Sequence, residues 1–379
     1  MGLVGAVLCA IAVTSGLLLL GRAVQGLGGA IVTPAALSLL TTNFPTGRAH
    51  RVAMSAWTAA AAGGGALGFV LGGFLVDAAG WRGIFWLLTP LAALVLILMW
   101  PLIPPAPRVG RDTGLDVPGA FTATTGLVLL VWGAGLFEDP ANGPVPPAVV
   151  IIVGVVLLVV FVVIERRSRN PLISWAELTN RTFMQAKGTA FINTATTSAS
   201  GTLVALVAQR QLGLDAWTTG LVLVPFSVLV VIGSTTGTFW LTRRATAGMA
   251  TGLALVSLAM LGLAGATSAS SAIGLAIAVG VAGLGLSWAA LTSTSSAMQS
   301  AAPTRQGTAS GTVNTAAQIG TAIGVATLLS VASISGGGNE RIGLSIAFIT
   351  AAVIALGYSV LLLGSQMRTQ QNATVEVTP

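Results

Sequence analysis

The chain has 379 residues, of which 54% are hydrophobic and only 7% charged, with 48 glycines and a mean hydropathy of +0.90. Ordinary globular domains carry about a quarter charged residues, so a water-soluble domain is excluded. One cysteine (Cys9) and one histidine (His50) exclude a disulfide framework and a His/Cys metal cluster, and neither metal nor cofactor is expected. The net charge of +7 sits in short clusters between apolar runs rather than along one stripe, which argues for topology signals and against a nucleic-acid partner.

A membrane crossing takes about 20 apolar residues, and on that measure the chain divides into twelve segments. They are 2–14, 17–42, 52–77, 83–103, 117–136, 146–164, 183–208, 217–241, 247–267, 272–297, 308–334 and 342–364. The first is too short to cross unless Thr14, Ser15 and Gly16 make a tight turn or the chain is cut, and it lacks the basic start of a cleavable signal. If the second segment runs inward, the inner connections hold twelve arginines (48, 51, 108, 111, 166, 167, 169, 181, 243, 244, 305 and 368) and the outer ones three (82, 210 and 341). This positive-inside bias predicts that both termini face the cytoplasm. Trp81, Trp100, Trp217 and Trp240 fall at predicted helix ends, where an indole stays half wet.

The segments group into a partial amino-terminal bundle (1–103), a proline-rich cytoplasmic linker (104–119), two extra transmembrane helices (117–164), a cytoplasmic loop (165–182), a six-helix bundle (183–364) and a polar, disordered cytoplasmic tail (365–379). An internal repeat underlies this grouping. Gly26-Leu27-Gly28 recurs as Gly283-Leu284-Gly285 at an offset of 257, Pro45 with Gly47 matches Pro303 with Gly307, and Gly64 and Gly68 match Gly320 and Gly324 at an offset of 256. Transporters are commonly built from repeated bundles with the substrate between them near the midplane. By the same offset, two helices of the first bundle are absent from the amino end.

Arg22 lies six residues inside the second segment, about 9 Å along a helix. A charge at that depth costs about 2.5–3.5 kcal/mol on insertion scales and marks a pathway unless it snorkels to the surface. Gln25, one turn on, is placed to share its hydrogen bonds. Gly64, Gly68 and Gly72 recur every four residues, with Gly73 beside them, so this face admits a second backbone and is a candidate moving seam. Trp57 and Trp288 lie well inside helices and offer π faces to a cationic substrate or ordinary packing. Asn193, Asn314 and Gln318 are mid-helix amides that either bind substrate or bridge helices. No Asp or Glu falls mid-membrane, since Asp77, Asp116 and Asp215 sit at or near predicted helix ends. The chain has no GxxxxGK[ST] phosphate loop, which excludes ATP-driven transport by this chain alone, and nothing in it points to an enzyme.

The run Gly21-Arg22-Ala23-Val24-Gln25-Gly26-Leu27-Gly28-Gly29-Ala30 and the helix after it resemble the major facilitator superfamily, most of all its fourteen-helix drug:proton antiporter branch of multidrug and antibiotic exporters. Gly64 through Gly73 resembles that family's fifth-helix antiporter motif, with Phe69 where the family has proline. Trp81-Arg82-Gly83-Ile84-Phe85, Ala208-Gln209 through Pro225, and Gly307 through Ala326 continue the likeness. The resemblance implies an all-α polytopic membrane protein of two-bundle fold, present here as about twelve transmembrane helices with the family's first two missing. It implies a monomeric secondary carrier in the cytoplasmic membrane, exporting small amphipathic or cationic drugs by alternating access in exchange for protons, with Arg22 in proton coupling. An exporter of another small metabolite, a nutrient importer, or a truncated non-transporting membrane protein would carry the same helices.

Overall fold

A computed structural model describes residues 1–44, 47–101, 117–136, 143, 145–167, 180–237, 245–300, 306–336 and 338–375. All regular structure among the described residues is helical. The helices are α1 (Gly2–Ala10), α2 (Ser15–Asn43), α3 (Gly47–Ala79), α4 (Arg82–Met99), α5 (Val117–Leu136), α6 (Val145–Arg167), α7 (Arg181–Thr197), α8 (Ser200–Leu206) with a π turn at Val207–Gln211, α9 (Ala216–Thr236), α10 (Ala245–Ser268), α11 (Ala272–Ser300), α12 (Gln306–Ser335) and α13 (Glu340–Val375). With α7, α8 and the π turn forming one 31-residue stretch, the chain makes twelve helical segments, nine of them long and apolar enough among the described residues to cross a membrane.

Polar side chains start these helices by accepting from amides that have no partner within the helix. Thr14 accepts from Leu17 N (3.3 Å), Asn180 from Phe183 N (3.2 Å), Ser271 from Gly274 N (3.1 Å) and Asn339 from Arg341 N (3.1 Å). A break between the first two helices is present, but it lies at 11–14 rather than at Thr14–Gly16: α1 ends at Ala10, four residues earlier than predicted, and Ser15 and Gly16 already belong to α2. The break between α7 and α8 follows from a hydroxyl-rich run: Thr196, Thr197 and Ser200 each donate back to a carbonyl three or four residues earlier, which bends a helix. The last helix does not stop near Gly364 but runs to Val375, because Ser365 to Asn372 contains no glycine or proline to end it. The linker at 104–116, the arginines at 108, 111, 169, 243, 244 and 305, and Trp240 lie outside the described residues.

Two compact units emerge: Met1–Arg111 with Leu214–Val224, and Asp112–Gly213 with Pro225–Pro379. In the first, α1 lies against α2 and α4. A Cβ on Gly5 would come within 2.7 Å of Gly21 O, and one on Gly21 within 2.6 Å of the fully buried Cys9 Sγ. The Arg82 guanidinium, stacked 4.2 Å from the Trp81 ring centroid, donates to Ala12 O through Nη2 (2.6 Å) and Nε (3.2 Å), satisfying a carbonyl just past the end of α1. Gly80, at φ +69°, makes the turn from α3 to α4.

In the second unit α10 is the central helix, flanked by α11, α13 and α7. Ser257 donates to Ala352 O (2.9 Å) and Ser359 to Ala250 O (2.8 Å), a reciprocal pair that ties α10 to α13. Gly252 and Gly285 let α10 and α11 approach until a Cβ on either would meet the other's backbone at 2.5–2.7 Å. The α5–α6 hairpin crosses the same way at Gly126 and Gly154, while Val149, Ile152, Val156 and Val159 of α6 point outward. In lipid, close backbone packing and hydrogen bonds hold helices together, because an apolar side chain gains nothing by leaving a hydrocarbon solvent.

Candidate functional site

Arg22 is exposed on α2, and its Nη1 donates to Gln25 Oε1 (3.1 Å). Its Cζ stands 6.0 Å from the Phe85 ring centroid, the outer limit of a cation–π contact. Gln25 itself is held by α1, whose Gly5 leaves room for the glutamine Cγ. Absent a Cβ at Gly5, α1 fixes Gln25, and Gln25 fixes the guanidinium. In the second unit, Arg210 pairs with Glu340 (2.8 Å).

The glycines of α3 behave differently from one another. A Cβ added at Gly64, Gly68 or Gly72 would meet nothing within 4 Å among the described atoms, whereas one at Gly73 would collide with Ala216 O at the start of α9. The equivalent glycines of α12 are filled: Gly320 admits Phe191 O and Gly324 admits Ala195 O, both from α7. Repeated sequence thus does not mean repeated surroundings. Trp57 lies on α3, and its side chain is outside the described residues.

Asn193 is wholly buried on α7; its Nδ2 donates to Leu286 O (3.0 Å) on α11, and its Oδ1 has no hydrogen-bond partner among the described residues. Two residues beyond Leu286, the half-buried Trp288 donates from Nε1 to Thr236 Oγ1 (3.0 Å). Asn314 and Gln318 are exposed one turn apart on α12, next to Ala317, whose carbonyl accepts from Thr194 (2.6 Å). The structure thus joins Arg22 to Gln25 and sets Asn314 and Gln318 on one face, while Asn193 of α7 bonds to Leu286 of α11 and Trp288, two residues on, bonds to Thr236 of α9 instead.

Two carboxylates that the sequence left at helix ends have definite partners. Asp77, near the end of α3, accepts from Ala216 N (3.3 Å) and Trp217 N (2.8 Å), while Asp215 accepts from Thr218 N (2.8 Å). The Thr218 hydrogen bond holds the Asp215 carboxyl below its ordinary value of 3.8. No spacing rule could have paired Asp77 with residues 139 and 140 positions away. Gln211, ending the π turn, is a further residue the sequence did not single out: both its amide atoms are buried without a partner.

Twelve helical segments among the described residues, nine of them long and apolar enough to cross a membrane, and an exposed apolar surface define a multi-pass helical membrane protein. The sequence profile of the Major Facilitator Superfamily matches residues 1–325, and the chain belongs to that family. It is 32% identical over 332 residues to multidrug resistance protein Stp of Mycobacterium tuberculosis, a match that spans 86% of this chain and 61% of Stp. It is 31% identical over 381 residues to cephamycin export protein CmcT of Amycolatopsis lactamdurans, spanning 96% of this chain and 76% of CmcT. Over 160 residues it is 35% identical to puromycin resistance protein pur8 of Streptomyces alboniger, spanning 42% of this chain and 31% of pur8.

Proposed function

We propose that this protein is a secondary carrier of the cytoplasmic membrane, both termini inside, that exports small amphipathic or cationic drugs in exchange for protons. The observation that carries this reading is the alignment over 86% of the chain with a protein named for multidrug resistance. The Arg22–Gln25 pair adds a chemical reason. A guanidinium keeps its proton, so Arg22 acts by exchanging hydrogen-bond partners, Gln25 Oε1 being the one it holds here. Carriers built from repeated bundles work by rocking of one repeat against the other, and the face of Gly64, Gly68 and Gly72, where an added Cβ meets nothing within 4 Å among the described atoms, is the candidate moving seam. Asn193, Trp288, Asn314 and Gln318 offer amides and one π face to the cargo, and Trp57 a second.

Expression in a host stripped of its own exporters tests the reading. Growth in the presence of a panel of toxic cations and antibiotics is expected to improve, and a proton ionophore should abolish the gain. Unchanged sensitivity with the protein present in the membrane overturns it. A second reading, export of a metabolite made by the cell itself, is favoured by the similarity to a protein named for cephamycin export. A gain against the host's own antibiotic alone, with none against unrelated cations, selects it.

A further inference from the structure

We propose that Asp77 is a latch: from the end of α3 its carboxylate holds the amino terminus of α9, and this cap must open when the carrier changes conformation. The first four amides of α9 are all accounted for. Thr218 N and Thr219 N are taken by the Asp215 side chain (2.8 Å) and backbone carbonyl (3.0 Å), which leaves Ala216 N and Trp217 N to Asp77. A helix ordinarily meets this need with its own cap residue or with water. Here half of it is met by a charged group from another helix, placed where the helix dipole is positive.

The rest of the contact fits a seam made to part. Phe69, Gly73 and Asp77 lie four residues apart on one face of α3. Gly220 of α9 admits Phe69 O, Gly73 of α3 admits Ala216 O, and the Phe74 and Trp217 rings meet edge to face at 6.0 Å. Carbonyls resting in glycine notches interlock no side chains, which leaves the Phe74–Trp217 edge contact as the side-chain packing to break when the two helices separate. Both Asp77 hydrogen bonds are exposed, so water replaces them when they break. The latched stretch, Leu214–Val224, groups with α1–α4, whereas the helix from Pro225 onward groups with the second unit. Pro225 has no N–H to give to Leu221, so the helix is weakest where that grouping changes.

The latch rests on the transport reading only for what it serves, and cross-linking tests it independently of export. In full-length protein with Cys9→Ser, the Phe74→Cys/Trp217→Cys pair is treated in membrane vesicles with a short bismaleimide. A protease site placed in the 104–116 linker reports whether the halves stay joined. Asp77→Asn is expected to slow cross-linking about five-fold, the loss of one charge–dipole contact, while Asp77→Glu stays close to the parent rate. Ala216→Pro keeps the charge and the helix start but deletes one donor, and is expected to give an intermediate rate. An unchanged rate in Asp77→Asn overturns the latch. Should that variant fail to reach the membrane, an unchanged rate in Ala216→Pro does so. Cross-linking that responds to Asp77 in a protein exporting nothing sinks the transport reading and leaves the latch standing.

Discussion

Arg22 and Asn193 are both polar groups within apolar helices, and their surroundings are opposite. Arg22 is exposed and makes one side-chain hydrogen bond, so truncating it removes little that holds the helices together. Arg22→Ala should even insert more readily, because about 2.5–3.5 kcal/mol of charge burial is avoided. The expected outcome is abolished efflux of a fluorescent cation at unchanged membrane abundance; normal efflux removes Arg22 from the mechanism. Asn193 is buried, with one amide donor satisfied and one acceptor orphaned. Asn193→Leu loses an interhelical bond worth about 1 kcal/mol and also relieves the orphaned oxygen, so thermal melting in detergent should shift by only a few degrees. Asn193→Asp buries a charge in the same place at about 2.5 kcal/mol or more and should fail to accumulate. Sequence identified both residues as unusual by depth alone. It could not separate them, because exposure and partner depend on which neighbouring helix fills the adjacent space.

Glycine spacing in the helices is legible in the same limited way. A period of four names the face, and only the fold names the neighbour. Gly68 faces open space, so Gly68→Ala should hold or raise stability, by up to about 1 kcal/mol from helix propensity alone. A Cβ on Gly252 would stand 2.5 Å from Ala289 N and 2.9 Å from Ala289 Cβ, so Gly252→Val should cost about 1–3 kcal/mol through forced separation of α10 from α11. Melting both variants in one detergent checks the difference in sign. If Gly68→Ala keeps its stability yet loses export, that glycine belongs to a seam formed in another conformation. The start of α9 carries a further prediction. The Asp215 carboxyl is held low by Thr218, so its cap is in place above the ordinary value of 3.8 and is lost as pH falls through the depressed one. Asp215→Asn should therefore flatten the acid limb of a stability profile measured below about pH 4 while leaving the neutral range parallel.

For the whole molecule, the twelve segments were readable because a bilayer imposes one length on every crossing. The ends moved, furthest at Val375 and by four or five residues at Ala10, Gly47 and Met99, and the seventh segment is broken between α7 and α8. The repeat gains a test from contacts. Gly5 faces Gly21 across α1 and α2, and Gly262 faces Ala278 across α10 and α11, with both members of the second pair 257 positions further along. Landmarks alone suggested the duplication; a matched pair of touching positions gives it a geometric meaning, since each is the close approach between a helix and the next.

Orientation is the property that neither contacts nor similarity determine, and it follows from charge. Twelve arginines in the even set of connections against three in the odd set bias insertion so that the basic side stays with the cytoplasm. On the proposed orientation Gly143 and Gly213, both at positive φ and in the odd set, fall outside, and the chain after Arg167 falls inside. An alkaline phosphatase moiety fused after Gly143 or Gly213 should be active, and one fused after Arg167 inactive, with a fluorescent-protein reporter giving the reverse pattern. The charge bias is cumulative over connections rather than dependent on any one residue, so replacing Arg166 and Arg167 by glutamine should leave the pattern intact. If the activities invert across all three sites, the outer and inner faces exchange and the Asp77 cap moves to the cytoplasmic side.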